Sequence, residues 1–253
     1  MRFRYIWIAS LMTLREVFRR RIVILLLVVI PALFYAVTCL TTNMIPFPFK
    51  LAAVKGEPGL IVPARHIGLV FMGLASTGLL AAFLSMSLIQ RNIRATRRLI
   101  LCGFSTSEIS LSKMLVMLSI TILLGFYVGS MLCLFFQPHR YLTVIAGFIL
   151  IGFVYGSYGL LIGTLLRGEL EGILLITLLA NIDIGWLQNP IFYAGALNKA
   201  LIRGLPAFYP SQLSNISAFS DHNFSRALMG SIFYGGILLA LALLVFWLRM
   251  RKK

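Results

Sequence analysis

Charge all but vanishes from this chain in six places, each time over a run long enough to cross a lipid bilayer. A crossing helix needs about 20 consecutive, mostly apolar residues. Uncharged runs of that length occur at Ile22–Thr42, Ile67–Gln90, Met114–Gln137, Tyr141–Leu166 and Ala227–Leu248. Gly172–Asn198 is apolar as well, but it is broken by Asp183 and by Asn189-Pro190. It is expected to cross and then turn back. Composition agrees: 60% of the 253 residues are hydrophobic, 12% are charged, and the mean hydropathy is +0.95. So little charge could not cover the surface of a soluble domain of this length. The expected fold is an all-α membrane protein of six transmembrane helices, organised as one domain over residues 1–253.

The distribution of basic residues tests that count. With both termini on one side, the connecting pieces on that side hold 16 of the 23 Lys and Arg residues. The other side holds Lys50, Lys55, Arg65, Arg140, Lys199, Arg203 and Arg226. Basic residues concentrate in cytoplasmic loops, so both termini of this multi-pass protein are expected in the cytoplasm. One span more or fewer would break the asymmetry. A net charge of +16 would point a soluble protein toward nucleic acid. Here the charge hugs the apolar runs, so the expected partner is membrane lipid and no nucleic acid.

Residues 1–21 read as an amphipathic helix. At 100° per residue, Phe3, Trp7, Leu11, Leu14 and Phe18 share one face, while Arg4, Arg15, Glu16 and Arg19 lie opposite. Such a helix lies in the headgroup layer, its aromatic side in lipid. Cys39, Cys102 and Cys133 show no metal-ligand or disulfide spacing and are expected to be buried thiols.

Several chemistries lack their residues. No lysine is followed by Ser or Thr, so a phosphate-cradling G-x-x-x-x-G-K-[ST] loop is absent, and ATP binding of that kind is excluded. His66, His139 and His222 are isolated, which removes the H-E-x-x-H zinc site. A serine protease within the membrane would need a histidine inside a span near Ser157, and none is there. No catalytic, metal or cofactor residues are assigned. A self-contained carrier or channel would place ionisable groups within the bilayer, and only Asp183 qualifies.

The stretch Arg91 to Met114 is a basic island between two apolar runs, with Arg91, Arg94, Arg97, Arg98 and Lys113. Within it, Ser105-Thr106-Ser107-Glu108 has the spacing of a capping box, with Phe104 and Ile109 as the flanking hydrophobic staple. Gly103 suits the end of a preceding helix, because it tolerates the left-handed backbone found there. The island is expected to be a short helix over about 94–102, a tight turn at Gly103-Phe104, and a new helix that runs into the third span. Charge alone would orient the chain without any such turn.

These residues resemble the cytoplasmic loop of type-2 ABC exporter permeases. In ILCGFSTSEISLSK, Leu101, Ser105, Glu108, Ile109 and Lys113 fit that family's coupling-helix pattern, and Gly103 stands where the family often has proline. The resemblance covers nearly the whole chain. Leu205-Pro206 and Tyr209-Pro210 are similar to a re-entrant helical hairpin between spans five and six, with Tyr209 in place of the usual asparagine. It implies a connecting helix at 1–21, a coupling region at 91–113 and a re-entrant hairpin at 185–220.

It also implies a function and a place: the permease subunit of an ATP-driven exporter in a bacterial inner membrane. Partners would be ABC ATPase subunits that carry the ATP and magnesium, and a second permease subunit, identical or different. The ATPase contact is expected at Arg94, Arg97, Arg98, Leu101, Gly103, Phe104, Ser105 and Glu108. Asn181 and Asp183 are the candidate substrate-pathway residues. Spans rich in Leu, Ile, Phe, Met and Gly suit an amphipathic or lipidic cargo. Gly152, Gly156, Gly159 and Gly163 form a small-residue ridge that lets helices approach closely, either within the chain or at a seam between copies.

Overall fold

A computed structural model of the chain describes residues 3–54, 56–91, 98–100, 102–166, 168–189, 192–193 and 195–251. The long helices are α1 (Phe3–Arg19), α2 (Arg21–Thr41), α3 (Ala64–Gln90), α4 (Thr106–Leu132), α5 (Tyr141–Leu165), α6 (Glu169–Ala180) and α9 (Ser225–Arg251). α6 continues into a π-helical segment, Asn181–Leu187. Two shorter helices, α7 (Lys199–Arg203) and α8 (Phe208–Phe219), precede α9. Helices α2, α3, α4, α5, α6 with its π-helical extension, and α9 are long and apolar enough to cross a membrane. The protein is an all-α membrane protein with six such helices. Ser10 of α1 meets Ser112, Arg91 meets Glu169, and Arg249 of α9 meets Thr164, so one end of the bundle, the terminal end, gathers the start of the chain and the end of α9, and the other is the opposite end.

α5 is the hub, packed against α3, α4, α8 and α9. Its glycine ridge explains how one helix reaches so many neighbours. A Cβ added at Gly159 would fall on the Ala82 carbonyl of α3, and one at Gly163 would stand 3.0 Å from the Met86 carbonyl. Gly152 and Gly156 face Thr121 and Met117 of α4. The ridge is therefore an internal seam on which backbones meet. The largest core cluster forms around it, with Leu74, Phe148, Ile151, Val154 and Tyr155 almost fully enclosed.

The fifth apolar run is shorter as a helix than its sequence implies. It starts at Glu169, leaves helical geometry at Gln188 and does not extend to Asn198. A proline at position 190 disfavours helical backbone at the residue before it, which accounts for the early stop. The chain then forms the re-entrant pair. The Ala207 amide, at the foot of α8, bonds Asp183 inside the bundle. At the other end of α8, the Ala218 and Ser217 carbonyls accept from His139 and Arg140 of the α4–α5 loop. α8 thus returns to the end it came from. It is buried along almost its whole length although it carries Ser211, Gln212, Ser214, Asn215 and Ser217.

A small antiparallel hairpin, β1 (Pro46–Lys50) with β2 (Gly59–Pro63), was not expected from the sequence. Phe49 is opposite Leu60, and the buried side chains of Phe49 and Leu51 cover α8 at Leu213 and Ile216. The alternation in PFPFK and GLIVP, separated by Gly56 and Glu57, is the signal for it.

α1 departs in detail from the expected amphipathic stripe. Trp7, Leu11 and Phe18 are exposed, as a lipid-facing side requires, but Leu14 packs inward with Val17. Ile6, Ala9 and Ser10 are buried, and α1 lies against α4.

Candidate functional site

Within the island between α3 and α4, residues 102–105 form a tight turn at the terminal end. Residues 98–100 are helical, and they end as the backbone of Gly103 requires. Gly103 has φ +94°, the left-handed region that costs other residues about 1–2 kcal/mol. The Phe104 amide donates to the Leu99 carbonyl at 3.1 Å, and the Gly103 amide to that of Ile100 at 3.0 Å. These paired bonds are a Schellman closure of one helix. One residue later the next helix opens. The Ser105 hydroxyl accepts from the Glu108 amide at 3.2 Å, and the Glu108 carboxylate accepts from the Ser105 amide at 3.0 Å. The capping box is complete.

Cys102, Gly103 and Ser105 are exposed on this knuckle, as is Arg98. The exposure of Cys102 corrects the expectation of a buried thiol; the turn lifts it out of the bundle. Phe104 is half-buried, its ring edge-on to Tyr5 of α1 with centroids 4.9 Å apart. Glu108 is buried, so it holds the turn from behind. Arg94, Arg97 and Leu101 lie outside the described residues. Further bonds brace the frame: Arg91 pairs with Glu169 at 3.6 Å, the Ser10 hydroxyl donates to the Ser112 carbonyl, and Arg249 donates to the Thr164 carbonyl. Lys113 is buried between α4 and α9, its ammonium 5.5 Å from the Phe246 ring centroid.

The two candidate pathway residues are both in the π-helical segment, a geometry common at functional sites. They face opposite surroundings. Asn181 is exposed and donates to the Thr177 carbonyl of its own helix at 2.8 Å. Asp183 is 3% exposed. It lies 14 residues into the span, about 21 Å from the end at Glu169 at 1.5 Å per residue. Its carboxylate accepts from the Tyr155 hydroxyl at 2.6 Å, the Gln188 amide nitrogen at 2.9 Å and the Ala207 backbone at 2.8 Å. The π-spacing places Gln188 five residues on, where its own backbone also donates to the Asp183 carbonyl. Asp183 therefore joins the fifth span, α5 and the re-entrant pair at one point.

Near the opposite end, a groove of about 410 Å³ opens between α2 and α3. Leu33, Phe34, Thr38, Phe71, Met72 and Asn189 are among its walls, whereas Asn181 and Asp183 are not. The Thr38 hydroxyl is committed to the Phe34 carbonyl, which leaves the wall largely apolar.

Sequence reasoning missed several of these residues. Tyr155, Gln188 and Ala207 complete the Asp183 site, and only the polarity of the first two in an apolar context could have marked them. Asn189 was noticed as a helix breaker and is also a groove residue. Tyr193 is buried against Phe208, and its hydroxyl accepts from Arg203. No metal-binding group of three or more His, Cys, Asp or Glu is found among the described residues. No family model matches the chain, and no curated protein is significantly similar to it.

Proposed function

We propose that this chain is the membrane subunit of an ATP-driven exporter of the type-2 ABC permease kind, coupled to ATPase subunits on separate chains. The observation that carries this reading is the knuckle at Cys102–Glu108. It is closed on one side by a Schellman turn and opened on the other by a capping box, and α1 braces it through Tyr5. A loop that served only to orient the chain would need none of this stiffness. A turn that transmits a push would. In this reading the terminal end faces the cytoplasm, Arg98 and its basic neighbours steer the encounter, and Gly103, Phe104 and Ser105 meet the motor. Glu108 acts from behind by keeping the turn in shape.

The cargo in this reading is amphipathic or lipidic, a drug, lipid or peptide. The apolar groove between α2 and α3 is its candidate path, with Asn189 at the rim. A second permease subunit would cover the exposed apolar faces of α2 and α6. A self-contained carrier or channel is the alternative. It would need an ionisable group on a wet path, and the buried Asp183, held by three donors, favours the motor-driven reading.

The experiment is purification with native partners. An ATPase is expected to co-purify, and changes at Gly103-Phe104 are expected to leave hydrolysis running while transport stops. Charge reversal at Arg97 and Arg98 should weaken the association. Transport by the chain alone in sealed vesicles, without any ATPase, would sink the reading.

A further inference from the structure

At the end of the bundle opposite the termini, a cavity of about 220 Å³ lies between the hairpin turn, α7, α8 and the start of α9. Ala52, Ala53 and Phe208 give it a buried apolar floor, and Tyr209 also lines it, with its ring edge-on to Phe208. Glu57, Arg203 and Arg226 are its charged walls.

The charges do not balance. Glu57 is consumed by two cations: Lys199 at 3.0 Å and Arg203 at 2.6 Å. The turn is shaped to deliver it there, with positive φ at Gly56 and at Glu57 itself. Arg203 is further fixed by its bond to the Tyr193 hydroxyl at 3.2 Å. Arg226 has no ion-pair or hydrogen-bond partner among the described residues, although it lines the same cavity. The cavity walls thus carry two guanidiniums against one carboxylate, and that carboxylate is shared with Lys199 outside the cavity, which leaves an excess of positive charge at a pocket with a greasy floor. A guanidinium presents a planar fork that matches phosphate and carboxylate oxygens.

We propose that this cavity binds the acidic headgroup, phosphate or carboxylate, of an amphiphile at the membrane surface, with Arg226 as the principal recognition residue and the Glu57-bound Arg203 beside it. The pairing needs only a guanidinium fork for the acidic group and the apolar floor beside it for the start of the tail. The site does not depend on the exporter reading, since it involves neither the knuckle nor a motor.

The test uses the full chain in detergent and native mass spectrometry, with phosphatidylglycerol, phosphatidylcholine and inorganic phosphate as probes. Wild type is expected to retain phosphatidylglycerol over phosphatidylcholine. Arg226→Gln should weaken the retained phosphatidylglycerol about tenfold, the usual scale for losing a charge-assisted bond. Lys50→Gln, an exposed basic change at the same end, should not. Displacement of the lipid by inorganic phosphate would support the same chemistry and assign it to a free anion. Equal retention by wild type and Arg226→Gln would overturn the proposal. If Arg226→Gln does not fold, hydrogen exchange of the wild type decides. Phosphatidylglycerol, and not phosphatidylcholine, should slow exchange in residues 52–54 and 203–209; no difference between the two lipids overturns it.

Discussion

Gly103, Ser105 and Asp183 have effects that belong to single residues. Gly103→Ala should lower stability by about 1–2 kcal/mol through backbone strain alone, because an added Cβ meets nothing within 4 Å. Ser105→Ala should cost about 0.5–2 kcal/mol by removing the acceptor for the Glu108 amide. Thermal melts of the detergent-solubilised chain read both. Asp183→Ala strands three donors, each costing about 1–3 kcal/mol when left unpaired in the interior. It should be the most damaging of these changes, and Tyr155→Phe, which removes only one donor, a milder one. Equal melting points for Asp183→Ala and Tyr155→Phe would show that the carboxylate does not organise the site.

Helix packing sets the next scale. Gly159→Ala should push α5 off α3 at the Ala82 carbonyl and destabilise by about 1–3 kcal/mol. Gly236→Ala on α9, where an added Cβ meets nothing, should be neutral or slightly stabilising because alanine favours helix over glycine. The two changes are chemically identical, so a difference in melting point reports the seam. The helices were legible in the sequence because absence of charge over a fixed length is a coarse, local signal. The capped turn was legible because caps and staples are read from neighbours in the chain. The Asp183 site was not. Its partners Tyr155 and Ala207 come from 28 and 24 residues away. No local pattern records which hydroxyl or amide a fold will bring to a carboxylate. The Glu57 clamp was hidden for the same reason, since Lys199 and Arg203 lie more than 140 residues on, whereas the hairpin itself left a local trace in the alternation of PFPFK and GLIVP.

For the molecule as a whole, the Glu57 clamp ties the segment between α2 and α3 to the segment before α9. The hydrogen bond from Lys199, helped by Arg203, holds the Glu57 carboxyl below its ordinary value of 4.5. A depressed carboxylate stabilises the fold above its unfolded pKa and loses that contribution as pH falls. The protection factors of the hairpin amides, exchange corrected for its intrinsic pH dependence, should therefore be high at neutral pH and fall on acidification below about 4.5, whereas Glu57→Gln should show the lower protection throughout. High salt should act in the same direction. α8 bears on how the protein is made. Its row of Ser, Gln and Asn side chains would be poorly placed in lipid, yet α5 and the hairpin that shelter it are synthesised earlier and α9 later. A chain stopped after Phe219 should leave this segment outside the bilayer and open to protease. Synthesis through Arg251 should protect it, so that the last helix closes the door on a segment the translocon has already released.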